Sequence, residues 1–341
     1  MLLKELCEQQ GVSGNEKNLR DYILKLIKGK VNSYKVDKIG NLLAENKSAD
    51  ANPFKIVLLA HMDEVGLLIT DITSEGYLKF QPVGGINPQT LVAKTIKCGQ
   101  DQILGVIGSK AIHLQKPEDR KKNLNLEDLY IDIGANSKEE AEEKVKIGDY
   151  AFFTTKFEQF NTGLYKAKAF DDRVGCAIII EILASKYNCD LIAAFTVQEE
   201  VGLRGSKVIS NYLEADLAIV IEATNANDLG EKPPEERVVE LGKGPALSLM
   251  DSATIYKSEL IRKVTALAAD HQIPLQFRKG TAAANDAGNI HQAGKGIPTI
   301  TLSVPCRYIH SPNSLIYKGD YENCRKLVQV ILNNSQVFCS K

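Results

Sequence analysis

Histidine is scarce in this chain of 341 residues: there are five, so the position of each can be weighed separately. The seven cysteines are odd in number and never spaced C-x-x-C, which argues against a zinc ribbon or a disulfide framework. A reducing, cytoplasmic setting fits them. Long apolar runs are missing too. The longest, such as residues 56–60 and 176–180, fall far short of the roughly 18 that a membrane span needs. The start, MLLKELCEQQG, reads as a short amphipathic helix, because Lys4 and Glu5 break any apolar signal region. There is no charge excess either: Lys+Arg 42 stand against Asp+Glu 43, for a net charge of −1. The longest basic run is Arg120-Lys121-Lys122. Neither nucleic acid nor a membrane surface is an expected partner. What remains is a globular composition, 44% hydrophobic and 25% charged, with length for about two domains.

Two textures alternate along the chain. Apolar residues recur at helical spacing over 18–28. Extended segments at 34–37 and 42–45 precede a buried-strand run at 55–60. From about Gly66 to Gly163 short β-rich runs (67–72, 77–83, 103–107, 130–133, 150–155) are punctuated by Gly and Asn. One helix, 137–145, interrupts them, and a charged loop covers 116–128. Gly84-Gly85 reads as a bend or bulge. Thereafter strand and helix alternate: helices at 172–185, 204–212, 258–271 and 321–332, strands at 191–197, 217–221 and 297–302. Strands separated by such helices imply parallel βαβ units. The expected architecture is therefore α/β, a mixed sheet flanked by helices, split in sequence by an inserted small all-β module.

Chemistry-bearing residues gather after the strands. The run 56–60 leads into His61-Met62-Asp63-Glu64, and 191–197 into Gln198-Glu199-Glu200. The strand 217–221 leads into Glu222, and 297–302 into a loop reaching His310. Ligands in an open α/β sheet bind beyond the carboxyl ends of its strands. Asp171-Asp172 stand where a helix begins. Singly, each has an ordinary explanation: a packed histidine, a solvated acidic pair, a helix N-cap. Together they supply two imidazoles and several carboxylates, a donor set suited to a pair of divalent metals. His113, His271 and His291 lack such a setting and read as structural, and Cys176 and Cys306 read as packing residues.

The motifs GVSGNE (11–16), AHMDEVG (60–66), KAFDDRVG (168–175), QEEVGLRG (198–205) and RYIHS (307–311), in this order, resemble the glutamyl-aminopeptidase/deblocking-aminopeptidase family of dinuclear zinc metallopeptidases. The resemblance extends through GVIG (105–108) and IDIGA (131–135). It implies a zinc-exopeptidase-like catalytic domain from residues 1–65 and 164–341, and a β-barrel-like assembly domain at 66–163. It implies two divalent ions, zinc with cobalt or manganese as alternatives. Asp171 would bridge them, with His61 and Glu222 on one, and Glu200 and His310 on the other. Glu199 is implied as the general base toward a metal-bridging water or hydroxide in the hydrolysis of N-terminal residues from peptides. Asp63, two residues after His61, is placed to accept the other ring N–H and fix the tautomer.

Two departures stand out. Many relatives have Asp where this chain has Glu222, and Asn285 stands where they commonly have Thr. A cation pocket for acidic N-terminal residues would be expected in the segment 244–250, which has no basic residue. Neutral or apolar N-terminal residues are therefore expected, with Arg278 and Lys279 further on as the alternative. The family also implies a homo-oligomer, a tetrahedral dodecamer, with a dimer as the other possibility. Competing readings are a deacylase or glycan hydrolase on the same fold, or a catalytically silent assembly subunit. The matched histidines favour metal hydrolysis over a metal-free carboxylate pair.

Overall fold

The computed structural model describes residues 1–50, 53–118, 123–230 and 233–339. The basic run Arg120-Lys121-Lys122 and part of the charged loop lie outside them. Among the described residues, eleven strands form one large sheet. Its centre is parallel: Asp190–Thr196, Lys55–His61, Leu217–Asn225 and Thr299–Arg307 lie side by side in that order. Antiparallel strands extend it on both edges, Leu42–Asn46 and Ser33–Val36 on one side, Ser314–Tyr317, Leu164–Ala167 and Glu158–Gln159 on the other. Ala246–Ser248 pairs with Thr299–Arg307, and Gln276–Arg278 with Ala246–Ser248.

The apolar run in Lys55–His61 is unbroken because both faces of the sheet are covered. Side chains alternate across a strand. Ile56, Leu58 and Ala60 join a core with the helices Leu2–Cys7, Lys17–Ile27, Phe170–Ile182 and Lys318–Asn333, while Val57 and Leu59 join a second core on the other face. Helix Phe170–Ile182 is buried along nearly its whole length. Gly175 is required in it, since a Cβ there would sit 2.8 Å from the Ala60 Cβ and 2.4 Å from an oxygen of Asp172. Among the described residues no helix is long and apolar enough to cross a membrane.

Six strands, from Gly66–Ile72 to Tyr150–Phe153, close a separate barrel with its own core of Leu67, Ile69, Leu78, Phe80, Ile96, Ile107, Ile131 and Phe153. Its first and last strands pair directly, Leu67 with Ala151. Pairing passes back to the large sheet at Glu158, a few residues ahead of the Gly163 boundary expected for the insert. The chain turns out of the barrel's second strand through Gly84, whose φ of +86° suits glycine. A Cβ at that position would come within 2.7 Å of the Val65 side chain.

Candidate metal centre

The parallel strands end at one edge, and the acidic and imidazole side chains are delivered there from five chain segments. His61 closes its strand, Glu199 and Glu200 follow Asp190–Thr196, Glu222 lies within Leu217–Asn225, and His310 follows Thr299–Arg307. Asp171 comes from the first turn of Phe170–Ile182, where it and Asp172 have non-helical dihedrals.

Asp171 sits between the two imidazoles. Its Oδ1 lies 3.2 Å from His61 Nε2, and its Oδ2 lies 3.2 Å from His310 Nε2. Glu222 Oε2 is 3.6 Å from the same His61 nitrogen, and Glu200 Oε2 is 3.1 Å from that of His310. The structure thus brings together all the ligand positions expected from the sequence, in the pairs expected. Glu199 lines the same cleft beside His61, Asp171 and Glu222.

Burial pushes the carboxyls of Glu199 and Glu222 well above the usual carboxylate range, and raises Glu200 to about 8 with help from the charge on Asp171. Burial also opposes protonation of His310, but its hydrogen bond to Asp171 and the charge on Glu200 outweigh that and hold its pKa up at about 9. Asp171 resists its own burial because both imidazoles favour its charged form, and its pKa falls. Among the described residues no lysine or arginine lies within ion-pair distance of Asp171, Glu200 or Glu222; their ion-pair partners are His61 and His310. Glu222 Oε1 and Asp172 Oδ2 are buried with no hydrogen-bond partner. Ligand atoms of His61, Asp171 and Glu200 all lie within 4.8 Å of one another, as do those of His61, Asp172 and Glu222. Crowded carboxylates, two imidazoles and orphaned oxygens form a donor set that divalent cations satisfy.

Asp63 does more than expected. The His61 Nδ1 is 3.1 Å from the backbone carbonyl of Asp63 and 3.5 Å from its carboxylate, so the carbonyl is the nearer acceptor for the ring N–H. The carboxylate is already claimed by three donors: the Ser13 hydroxyl at 2.6 Å and the backbone N–H groups of Glu199 at 3.0 Å and Glu200 at 3.1 Å. Asp63 therefore faces the His61 Nδ1 with both its carbonyl and its carboxylate, and the same carboxylate pins the Glu199-Glu200 turn. Glu16 supports the same turn by accepting from the Gln198 N–H at 3.1 Å.

Several other residues gain partners or surroundings that the sequence did not show. Asp172 is no simple cap: Oδ1 accepts from the Gly175 N–H at 2.9 Å, Oδ2 is buried without a partner, and a carboxylate oxygen lies within 4.8 Å of ligand atoms of His61 and Glu222. Glu64 is buried between Lys168 Nζ (2.6 and 2.7 Å) and Arg173 Nη2 (3.2 Å). Asp286 is buried and accepts from Thr196 Oγ1 at 2.6 Å. Asn285 and Arg278 line the cleft that holds His61, Asp171, Glu199 and Glu222. Cys176 and Cys306 are buried free thiols whose pKa burial raises, in keeping with packing.

A split α/β sheet that gathers such donors at its strand ends, with a barrel inserted beside them, defines a metallohydrolase architecture. The model of the M42 glutamyl aminopeptidase family matches residues 40–327, and the chain belongs to that family of metal-dependent aminopeptidases. It is 32% identical to the lysyl aminopeptidase of Pyrococcus furiosus over 97% of this chain and 96% of that protein. The structure superposes on the TET aminopeptidase of a marine sediment Thaumarchaeota archaeon with a TM-score of 0.94 at 34% identity, covering 99% of this chain and 97% of that one. It superposes on the Pyrococcus horikoshii TET1 peptidase, which can assemble into a tetrahedron or a large octahedral shell, with a TM-score of 0.85 at 36% identity, covering 97% and 98%.

Proposed function

We propose that this protein removes single residues from the amino ends of peptides, using two divalent ions held by His61, Asp171, Glu200, Glu222 and His310. The observation that carries the reading is the Asp171 carboxylate, whose two oxygens each approach a different imidazole at 3.2 Å. Ions bound there would acidify a water and polarise the scissile carbonyl. Glu199 faces the same cleft and is the group that takes the proton from the attacking water and returns it to the leaving amine. Its burial favours holding that proton between the two transfers. The backbone N–H of Glu199 on Asp63 fixes the main chain from which that side chain extends.

The inner part of the cleft, about 180 Å³, has room for a single residue, which suits release of one residue at a time. Arg278 is in its wall, directly across from Ser248 of the segment that lacks basic residues. The pairing of those two strands thus supplies the cation that 244–250 lacks, and it moves the proposed preference from neutral or apolar to acidic N-terminal residues. Arg278 Nε donates to Thr224 Oγ1 at 3.0 Å, which holds the guanidinium in place. Glutamyl p-nitroanilide should be cleaved about ten to a hundred times faster than leucyl p-nitroanilide, the range of one charge-assisted hydrogen bond. Arg278→Met should erase that ratio. Faster leucyl turnover in the unaltered protein would restore the neutral preference.

Metal dependence is tested by stripping the protein and adding zinc, cobalt or manganese separately. Activity on an aminoacyl p-nitroanilide panel should vanish on stripping and return with at least one ion. Full activity without metal, or no rescue by any ion, would overturn the proposal. Self-assembly into a dodecamer is proposed alongside it. The support is the likeness to the Pyrococcus horikoshii peptidase and the outward-facing Leu104 and Val106 on the barrel, 60% and 47% exposed.

A further inference from the structure

A second cavity, of about 580 Å³, opens on the other side of His310. One wall is the loop after Thr299–Arg307, with Tyr308, Ser311 and Asn313. The other is the barrel segment running from Gly85 through Asn87, Gln89 and Thr90 to Lys94. The barrel is close to the centre here: a Cβ on Gly85 would lie 3.6 Å from His310 Nδ1, and one on Gly84 would lie 3.4 Å from the Glu200 Cβ. The Gly84-Gly85 bend brings the barrel against the candidate metal centre, and the segment beyond it faces a groove.

The two cavities share His310 and differ in kind. The inner one holds the carboxylates, Glu199 and Arg278, and suits one residue. The outer one has more than three times that volume and mixes neutral hydrogen-bonding side chains, among them Asn87, Gln89, Thr90 and Asn313, with apolar Val92, Ile309 and Pro312. Lys94 is the one lysine in that lining, half-buried, and it makes no ion pair with any carboxylate among the described residues; the other basic side chain there, His310, is a proposed metal ligand. An extended peptide that places its first residue in the inner cavity can send the rest of its chain past His310, which lines both cavities. Backbone amides of that chain would meet Asn87, Gln89, Thr90 and Asn313, which can donate and accept without selecting a side chain.

We infer that the groove between the barrel segment 85–94 and the loop 308–313 binds the leaving part of the substrate, and that Lys94 recognises the terminal carboxylate of a short peptide. This rests on the aminopeptidase reading above. It makes the barrel a part of the substrate site and makes Lys94 a specificity-determining residue that favours short peptides with a free carboxyl end.

The test compares di-, tri- and tetrapeptides that share one N-terminal residue, each with a free and with an amidated carboxyl end. For the length that reaches Lys94, kcat/KM should fall about tenfold on amidation, mainly through KM, the size of a single charge-assisted contact. Lys94→Gln should bring the free-to-amide ratio to about one at that length, and Lys94→Arg should restore most of it. The ratio is internal to each protein, so a change in folding or metal loading cancels from it. An aminoacyl p-nitroanilide, whose leaving group carries no carboxylate for Lys94, reports the parent reading separately. If the unaltered metal-loaded protein cleaves no such anilide and no peptide, the aminopeptidase reading fails. If it cleaves them but amidation has no effect at any length, the groove inference fails. A ratio that persists in Lys94→Gln assigns the carboxylate to another residue and overturns the role of Lys94.

Discussion

Glu199→Gln is expected to retain the metal content of the unaltered protein while kcat falls about a thousandfold, within the range typical for loss of a general acid–base group. The expectation follows from how the turn is held. Glu199 is fixed by its backbone N–H on Asp63 Oδ1, an interaction the substitution leaves in place. The proposed ligands His61, Asp171, Glu200, Glu222 and His310 are untouched, and glutamine matches glutamate in shape. What disappears is the ability to accept and return a proton. Elemental analysis and steady-state kinetics on the same preparation read both halves of the expectation. Turnover within a few-fold of normal would remove Glu199 from the chemistry. Loss of metal would instead make it a ligand.

Glu64→Gln is expected to cost about 3–5 kcal/mol of stability, the usual result of removing one partner from a buried ion pair. Glu64, Lys168 and Arg173 are 2%, 3% and 0% exposed. Lys168 also donates to the Gln9 carbonyl at 2.8 Å, and Arg173 to the Leu6 carbonyl at 2.8 Å. Without the Glu64 charge, two buried cations would face each other across a neutral amide. Burial lowers the pKa of Lys168, but Arg173 cannot shed its charge at ordinary pH. The urea midpoint of the variant, compared with that of the unaltered protein under identical metal conditions, measures the loss. A change below about 0.5 kcal/mol, the size of an ordinary surface substitution, would show that the triad is not held together by this charge.

Part of the site can be read in the chain because its strands are apolar on both faces and stop abruptly at polar residues. His61, Glu199, Glu200 and His310 each follow such a stop. Glu222 is less plain: the strand expected to end at Ile221 continues to Asn225, so Glu222 lies within the strand. The polar tail EATN conceals this. Glu64, Lys168 and Arg173 look like ordinary surface charges, since Glu64 lies 104 and 109 residues from its two partners in the chain. No local pattern marks them as buried. Strands such as Leu164–Ala167 and Ser314–Tyr317, four residues each, are too short for a periodic signal and form only because each completes the other's hydrogen bonds. The barrel strand Thr95–Cys98 escapes for the same reason. Arg278, named from the sequence only as an alternative cation, enters the cleft through the pairing of two three-residue strands, which no local pattern marks.

The adjacency of the barrel's first and last strands bears on how the molecule could change over time. His61 and Asp171 lie 110 positions apart in the chain but within 3.2 Å in space, and most of the intervening chain is the barrel. Because Leu67 pairs with Ala151, the barrel ties its own ends together before the chain re-enters the large sheet. Doubling or halving the length of such a closed excursion alters its closure entropy by only about 0.6 kcal/mol. The host sheet thus responds to where the insert is anchored and hardly at all to its size. Lineages can lengthen or trim the end of the barrel remote from His310 at little thermodynamic cost, whereas the Gly84-Gly85 corner has almost no such freedom.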